Sequence, residues 1–98
     1  MSDVRFNRVA CYEELREPGD GFWTGSEQPN VSPGRLMFLC PCGCGSIAGI
    51  RVAGEYRWEW NGDLDKPTAT PSIRIAGGRG GGAECWHGYL TDGVFKSC

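Results

Sequence analysis

The stretch RLMFLCPCGCGSIAGIRV, residues 35–52, has two apolar runs on either side of a turn that is rich in cysteine and glycine. Each run is bounded by turn residues, which is typical of strands. Between them Pro41 fixes the backbone, while Gly43 and Gly45 permit left-handed backbone angles. Such a turn can direct backbone N–H groups at thiolate sulfurs. The stretch therefore predicts two strands joined by a metal-binding knuckle.

Further strand signals follow towards the C-terminus. Residues 56–60 alternate strictly, 68–75 form a segment interrupted by Pro71, and 84–90 with 94–97 have the form of a terminal hairpin. The proline predicts that its strand lies at a sheet edge or starts after it. No window of ten residues shows helical periodicity. We therefore predict a mainly β fold, a small antiparallel sheet domain with little or no helix, stapled by a zinc knuckle.

The length of 98 residues indicates a single domain. Residues 1–34 are predicted to be an irregular segment with a short strand near its start, packed on the core. Within it, residues 20–34 are expected to lack regular structure. Residues 35–98 are predicted to be the metal-stapled β domain.

Composition and charge restrict the function. The net charge is −2, with both signs interspersed, so no electrostatic footprint for nucleic acid is present. No apolar run approaches the roughly 20 residues that span a membrane. Residues 1–10 lack the apolar core of a signal peptide, which predicts a reducing compartment. We therefore expect neither a membrane nor a nucleic acid as partner.

The cysteines fall into groups with metal-ligand spacing. Cys40 and Cys44 have the separation common in zinc sites. Cys85 and His87 would point to the same face of a strand, so both can reach one ion. The predicted metal ligands are Cys40, Cys42, Cys44, Cys85 and His87. Four of these five would complete a structural zinc site, with no position left open for a catalytic water.

Disulfides and free buried thiols are the alternatives to a metal. Six cysteines allow fifteen pairings, but disulfides belong to oxidising compartments. Cys11 and Cys98 stand apart from the metal ligands and could pair with each other on neighbouring strands.

Two residues are predicted to contact a partner. Trp60 lies close to the Asn-Gly turn at 61–62 that is expected to close a hairpin, and Arg79 lies within the glycine-rich loop 77–82. A weaker hypothesis is binding of single-stranded nucleic acid through Arg79, Arg74 and the tryptophans.

A family resemblance rests on motifs in the last two thirds of the chain. These motifs are CPCGCG at 40–45, Trp58, Thr-Pro-Ser-Ile at 70–73, and a histidine strand at 87–90 followed by Asp92-Gly93. They resemble a small family of phage and bacterial domains of unknown function. The resemblance implies a phage-type, metal-binding, mostly β domain. Members in bacterial ubiquitin-like conjugation operons look like peptidases, which implies Ser72 as nucleophile and His87 as base.

Two functions follow as hypotheses. The first is a non-enzymatic zinc-binding protein that binds another protein, a virion component or a host-defence factor, in the host bacterial cytoplasm or the virion. Self-association into a homo-oligomer is compatible with it. The alternative is a serine hydrolase or peptidase that uses Ser72 and His87, with Asp92 or Glu84 orienting the imidazole. His87 cannot be base and metal ligand together.

Overall fold

The structure is a computed structural model that describes residues 3–25, 33–55, 57–75 and 85–97. Within these residues the chain forms short strands and one 3₁₀ turn, Tyr12–Glu14. The strands are β1 (Val4–Arg5), β2 (Asn7–Arg8), β3 (Asp20–Thr24), β4 (Arg35–Leu39), β5 (Ile47–Arg51), β6 (Glu59–Trp60), β7 (Ala69–Ile75), β8 (Trp86–Thr91) and β9 (Val94–Ser97). The prediction of a mainly β fold with little or no helix is confirmed. No helix in the described part of the chain is long and apolar enough to cross a membrane.

The strands form two sheets. The first sheet has the order β1-β9-β8-β7-β6, and the second has the order β2-β3-β4-β5. Neighbouring strands are antiparallel except β2 and β3, which are parallel. Each sheet contributes the buried side of its strands to one hydrophobic cluster, so the two sheets share a core.

Aromatic and aliphatic side chains from both sheets fill this core. Leu36 and Phe38 of β4 are fully buried, as are Leu90 of β8 and Phe95 of β9. The rings of Phe38 and Phe95 pack with centroids 4.8 Å apart, one from each sheet. Burial of a side chain of this size stabilises a fold by about 1.5–3 kcal/mol, so these residues hold the sheets together.

The chain passes from the first sheet to the second at Phe6, between β1 and β2. Phe6 is only 4% exposed, and its ring contacts Trp23 and Phe95, each with centroids 6.3 Å apart. The predicted N-terminal strand is therefore split into two short strands that pair with different sheets.

Strand β3 lies where the sequence predicts irregular chain, so that expectation is wrong for Asp20–Thr24. The reason is the close approach of neighbouring elements at Gly21. A Cβ atom there would lie 2.7 Å from the Phe6 ring and 2.8 Å from the carbonyl oxygen of Met37. The glycine thus permits pairing with β2 and β4, although glycine weakens the strand signal in the sequence. The predicted division at residue 34 stays a prediction.

Strand β7 pairs with β6 on one side and β8 on the other. Its predicted place at a sheet edge is therefore wrong. The alternative, a strand that starts after Pro71, is also wrong, because β7 begins at Ala69. From Ala69 to Ile73 the chain takes four steps, while the partners Leu90 and Gly88 are two steps apart, so β7 bulges here. Pro71 lies in this bulge, where a missing backbone N–H does not interrupt the ladder.

The connection between β6 and β7 is longer than the expected hairpin turn, since Asn61 N donates to the carbonyl of Thr68. Side-chain oxygens satisfy the backbone of this loop. Asn61 Oδ1 accepts from the N–H groups of Asp63 and Thr68, and Asp63 Oδ1 accepts from those of Asp65 and Lys66. The loop is thereby fixed beside β6.

Candidate active site and metal centre

Strand β8 presents alternate residues to the two sides of the first sheet. Trp86, Gly88 and Leu90 are buried against the core, whereas His87 is half-buried and Tyr89 is exposed. Since successive side chains of a strand point to opposite faces, His87 lies on the outer face of the first sheet.

Ser72 lies on the same outer face, beside His87. Arg74 of β7 is directly opposite His87 in the register, and Ser72 precedes Arg74 by two residues. Residues diagonal to each other across an antiparallel pair are within reach of long side chains. The Nε2 atom of His87 and the Oγ atom of Ser72 are 3.1 Å apart. The fold thus brings together the two residues that the peptidase hypothesis requires.

The backbone around this pair is fixed from both sides. The indole Nε1 of Trp58 donates to the carbonyl oxygen of Pro71, at 3.0 Å, immediately before Ser72. On β8, a Cβ atom at Gly88 would lie 2.7 Å from the Trp86 ring and would overlap the carbonyl oxygen of Lys96. Glycine after His87 therefore lets β8 approach β9 closely.

A serine hydroxyl within hydrogen-bond distance of an imidazole can act as a nucleophile with an adjacent general base. A third group that orients the imidazole is common in such sites. Asp92 is five positions after His87 and follows the end of β8. At about 3.4 Å per residue of strand the two residues are about 17 Å apart, so Asp92 does not take this role. Glu84 lies outside the described residues.

The sulfur atoms of four cysteines form a cluster, and one of these cysteines, Cys85, is two residues before His87. The Sγ of Cys85 lies 3.6 Å from that of Cys40, 3.1 Å from that of Cys42 and 3.3 Å from that of Cys44. All four sulfurs lie within 4.8 Å of one another. The group could hold a metal ion.

Local sequence explains how three of these cysteines meet. Gly43 and Gly45 have φ angles of +89° and +84°, a region that favours glycine. The turn is closed by a hydrogen bond from Cys40 N to the carbonyl of Ser46, at 2.8 Å. The fourth cysteine is positioned by the first sheet, because Cys85 N donates to the carbonyl of Ile75 at 2.6 Å.

The thiols differ in their pKa values. Hydrogen bonds from the hydroxyl and the backbone N–H of Ser46 lower the pKa of Cys44 to about 5. Burial raises the pKa of the Cys40 thiol. The pKa of the Cys85 thiol is also raised, because its sulfur contacts the sulfur of Cys42. A bound cation would favour the thiolate form at all of these positions.

His87 is not part of the sulfur cluster. The sequence predicts Cys85 and His87 on one face of a strand, but β8 begins at Trp86, so the alternation does not extend back to Cys85. The structure instead directs the His87 imidazole to Ser72. Of the five predicted ligands, the four cysteines come together and the histidine does not.

The described cysteines are free thiols, since their closest sulfur separation is 3.1 Å and a disulfide bond is about 2.05 Å long. Cys11 is exposed. Cys98 lies outside the described residues, as does any contact between it and Cys11.

Of the two residues predicted to contact a partner, the structure describes Trp60 and not Arg79. Trp60 packs against Trp23 with ring centroids 4.5 Å apart, and its Nε1 donates to the carbonyl of Asp63. Its role in binding a partner stays a prediction. Arg79 and the loop around it lie outside the described residues. No local sequence pattern predicts the contact of Trp58 with Pro71, because only the tertiary structure brings these residues together.

Residues 10–98 match the family described as bacterial ubiquitination-like system serine protease (BubE), and the chain belongs to this family. No match to the chain was found among curated proteins or solved structures. The family is bacterial, so the phage part of the resemblance is not supported. Its description favours the hydrolase alternative and leaves the non-enzymatic prediction unconfirmed.

Proposed function

We propose that the chain is a serine protease in which Ser72 is the nucleophile and His87 the general base. The observation that carries this proposal is the separation of 3.1 Å between Ser72 Oγ and His87 Nε2. The two residues are far apart in sequence and belong to different strands, so their meeting depends on the register of β7 and β8. The family description supports the same chemistry.

The proposed reaction has two halves. Ser72 Oγ attacks the carbonyl carbon of a peptide bond while His87 Nε2 accepts the hydroxyl proton. The C–N bond then breaks, His87 gives that proton to the leaving amine, and an ester between Ser72 and the acyl group remains. In the second half a water molecule loses a proton to His87 and attacks the ester carbonyl. Ser72 leaves with that proton, and the product carboxylic acid is released.

The substrate that fits this proposal is a polypeptide. The family description refers to a bacterial ubiquitination-like system, which supports a protein of such a system as the substrate. The substrate would bind to the outer face of the first sheet, because Ser72 and His87 are both only half-buried there and so remain accessible.

We further propose that Cys40, Cys42, Cys44 and Cys85 hold a structural zinc ion. Four ligands with Zn–S bonds of about 2.3 Å place sulfurs about 3.8 Å apart in a tetrahedron. The sulfur separations of Cys85 from the other three, 3.1–3.6 Å, are close to this value. Four thiolate ligands would leave no coordination site for water, so the ion would cross-link the knuckle to the start of β8 and take no part in proton transfer.

A fluorophosphonate probe tests the nucleophile without knowledge of the substrate, because it reacts covalently with activated serines. We expect it to label the wild-type protein and not Ser72→Ala. His87→Asn should label far more slowly, since the base is missing. Ser2→Ala removes a serine near the start of the sequence and should label like wild type. Equal labelling of wild type and Ser72→Ala, or none of either, would contradict the proposal.

A further inference from the structure

A second candidate site lies on the outer face of the second sheet, away from Ser72 and His87. It is a cavity of about 460 Å³ at the end of strands β3, β4 and β5. Two arginines line it, Arg35 and Arg51, and Thr24 lies beside them. A volume of this size is in the range of small-ligand sites.

The strand register places these three side chains in one row. Thr24 of β3 is directly opposite Arg35 of β4, and Arg35 is directly opposite Arg51 of β5. Leu36 and Ile50, the neighbours of the two arginines, are buried against the core. Because side chains alternate along a strand, the row faces outward, with Cβ atoms about 4.5–5.5 Å apart between neighbouring strands.

Two like charges directly opposite each other destabilise a sheet. In the described part of the chain no carboxylate forms an ion pair with Arg35 or Arg51, and the ion pairs found there involve Arg8 and Arg57 instead. The chain as a whole has a net charge of −2, so this pair is a local concentration of positive charge in an acidic protein. An anion between the two guanidinium groups would remove the repulsion.

Glycines form much of the rest of the cavity wall, so few side chains fill the cavity. Gly25, Gly34 and Gly54 line it and have no side chains to fill it. At Gly54 an added Cβ atom would meet nothing within 4 Å, and its φ angle of +94° favours glycine. A ligand can therefore approach the backbone closely here.

From these observations we infer that the row of Thr24, Arg35 and Arg51 binds an anion of the phosphate class. Guanidinium groups present N–H donors in a fork that matches the oxygens of phosphate, and a threonine hydroxyl can donate one more hydrogen bond. Two arginines supply a charge of +2, which a phosphate dianion balances and a single carboxylate does not. The cavity exceeds one ion in volume, so the phosphate can belong to a larger small molecule. This inference does not depend on the proposed protease activity.

Inorganic phosphate is the probe for a first test, with chloride and acetate at equal ionic strength as comparison anions. We expect phosphate to shift the amide NMR signals of Gly25, Gly34 and Gly54 in the wild-type protein. Chloride should leave these signals in place, and acetate should shift them only weakly. Unchanged signals in phosphate, or equal shifts in acetate, would overturn the assignment.

Variants test the arginines. We expect Arg35→Gln and Arg51→Gln each to weaken phosphate binding about tenfold or more, as for the loss of one hydrogen-bonded charge. In chloride alone, Arg51→Gln should melt at a higher temperature than wild type, because the repulsion is gone. Lys96→Gln makes the same charge change on the first sheet and should bind like wild type. Phosphate affinity that is equal in all four proteins would contradict the inference. A nucleoside monophosphate added to the same proteins distinguishes a free ion from a phosphate carried on a larger molecule.

Discussion

Cys85 and His87 are two residues apart, yet their side chains belong to different groups. The sulfur of Cys85 lies within 3.6 Å of three other sulfurs, while His87 Nε2 lies 3.1 Å from Ser72 Oγ. The change of direction occurs because β8 begins only at Trp86. The short link from Cys85 to His87 also means that whatever fixes the sulfur cluster fixes the start of the strand that carries the proposed base.

The sulfur cluster predicts a metal stoichiometry. We expect one zinc ion per chain in the wild-type protein by elemental analysis, and none in Cys42→Ala. Since Cys42 is exposed, its truncation removes little packing. Any loss of stability would therefore report the metal and is expected to reach several kcal/mol in denaturant unfolding. Cys11→Ala removes an exposed thiol outside the cluster and should retain both zinc and stability. A metal-free wild type of unchanged stability would contradict the prediction.

Removal of the metal is predicted to affect Ser72 through His87. A strong chelator should slow the reaction of Ser72 with a fluorophosphonate, because the start of β8 is no longer held at Cys85. Restoring zinc should restore the rate. The outcome that contradicts this coupling is a labelling rate that stays constant while the metal is lost and the fold, followed by circular dichroism, is retained.

Trp58 is predicted to position the backbone before Ser72. Trp58→Phe keeps an aromatic ring but loses the hydrogen bond from Nε1 to the carbonyl of Pro71. We expect a loss of about 1 kcal/mol in the free energy of unfolding, together with slower labelling of Ser72. Trp23→Phe is the matched control, because it loses a similar bond to the carbonyl of Leu64. The control should lose similar stability and keep the labelling rate. Equal rates in both variants would assign Trp58 a structural role only.

Asp20 is predicted to make stability depend on acid. Burial raises the pKa of its carboxyl group, but hydrogen bonds from the N–H groups of Glu17 and Arg16 and from Asn7 Nδ2 lower it more, so the pKa lies below its ordinary value. A carboxyl group with a depressed pKa stabilises the fold above its unfolded pKa of about 4. The contribution disappears as the pH falls through the folded pKa.

The corresponding variant is Asp20→Asn, measured by urea unfolding. At pH 7 we expect it to lose about 1–3 kcal/mol, and the difference from wild type should shrink as the pH falls below 4. Asp3→Asn changes an exposed carboxylate and should show neither effect. A difference for Asp20→Asn that is the same at pH 7 and pH 2 would contradict the assigned role.

Much of the fold can be predicted from patterns local to the sequence. The apolar runs at 35–40 and 47–52 correspond to β4 and β5, and the hairpin at the C-terminus corresponds to β8 and β9. The glycines of the CPCGCG turn likewise predict a metal-binding knuckle from the local sequence alone. These signals are readable because alternation and turn chemistry depend on neighbouring residues.

Features that depend on distant contacts are not readable in this way. Strand β3 pairs with β2 and β4, and Gly21 within it leaves room for Phe6 and Met37; neither contact has a signature in the local sequence. Pro71 predicts a sheet edge from the sequence, and only the strand pairing shows that it lies in a bulge instead. The opposition of Arg35 and Arg51 depends on the register of β4 and β5, which composition cannot supply. The sequence allows His87 to be either a metal ligand or the partner of Ser72, because the boundary of β8 decides between the two.

The rate at which Ser72 reacts tests most directly whether His87 is its base. The measurement is the rate of fluorophosphonate adduct formation, mapped to Ser72 by mass spectrometry, for wild type and His87→Asn under the same conditions. We predict that the adduct forms far more slowly in His87→Asn, because the imidazole that accepts the hydroxyl proton is missing. Rates that coincide in the two proteins, or an adduct on another residue, would contradict the account.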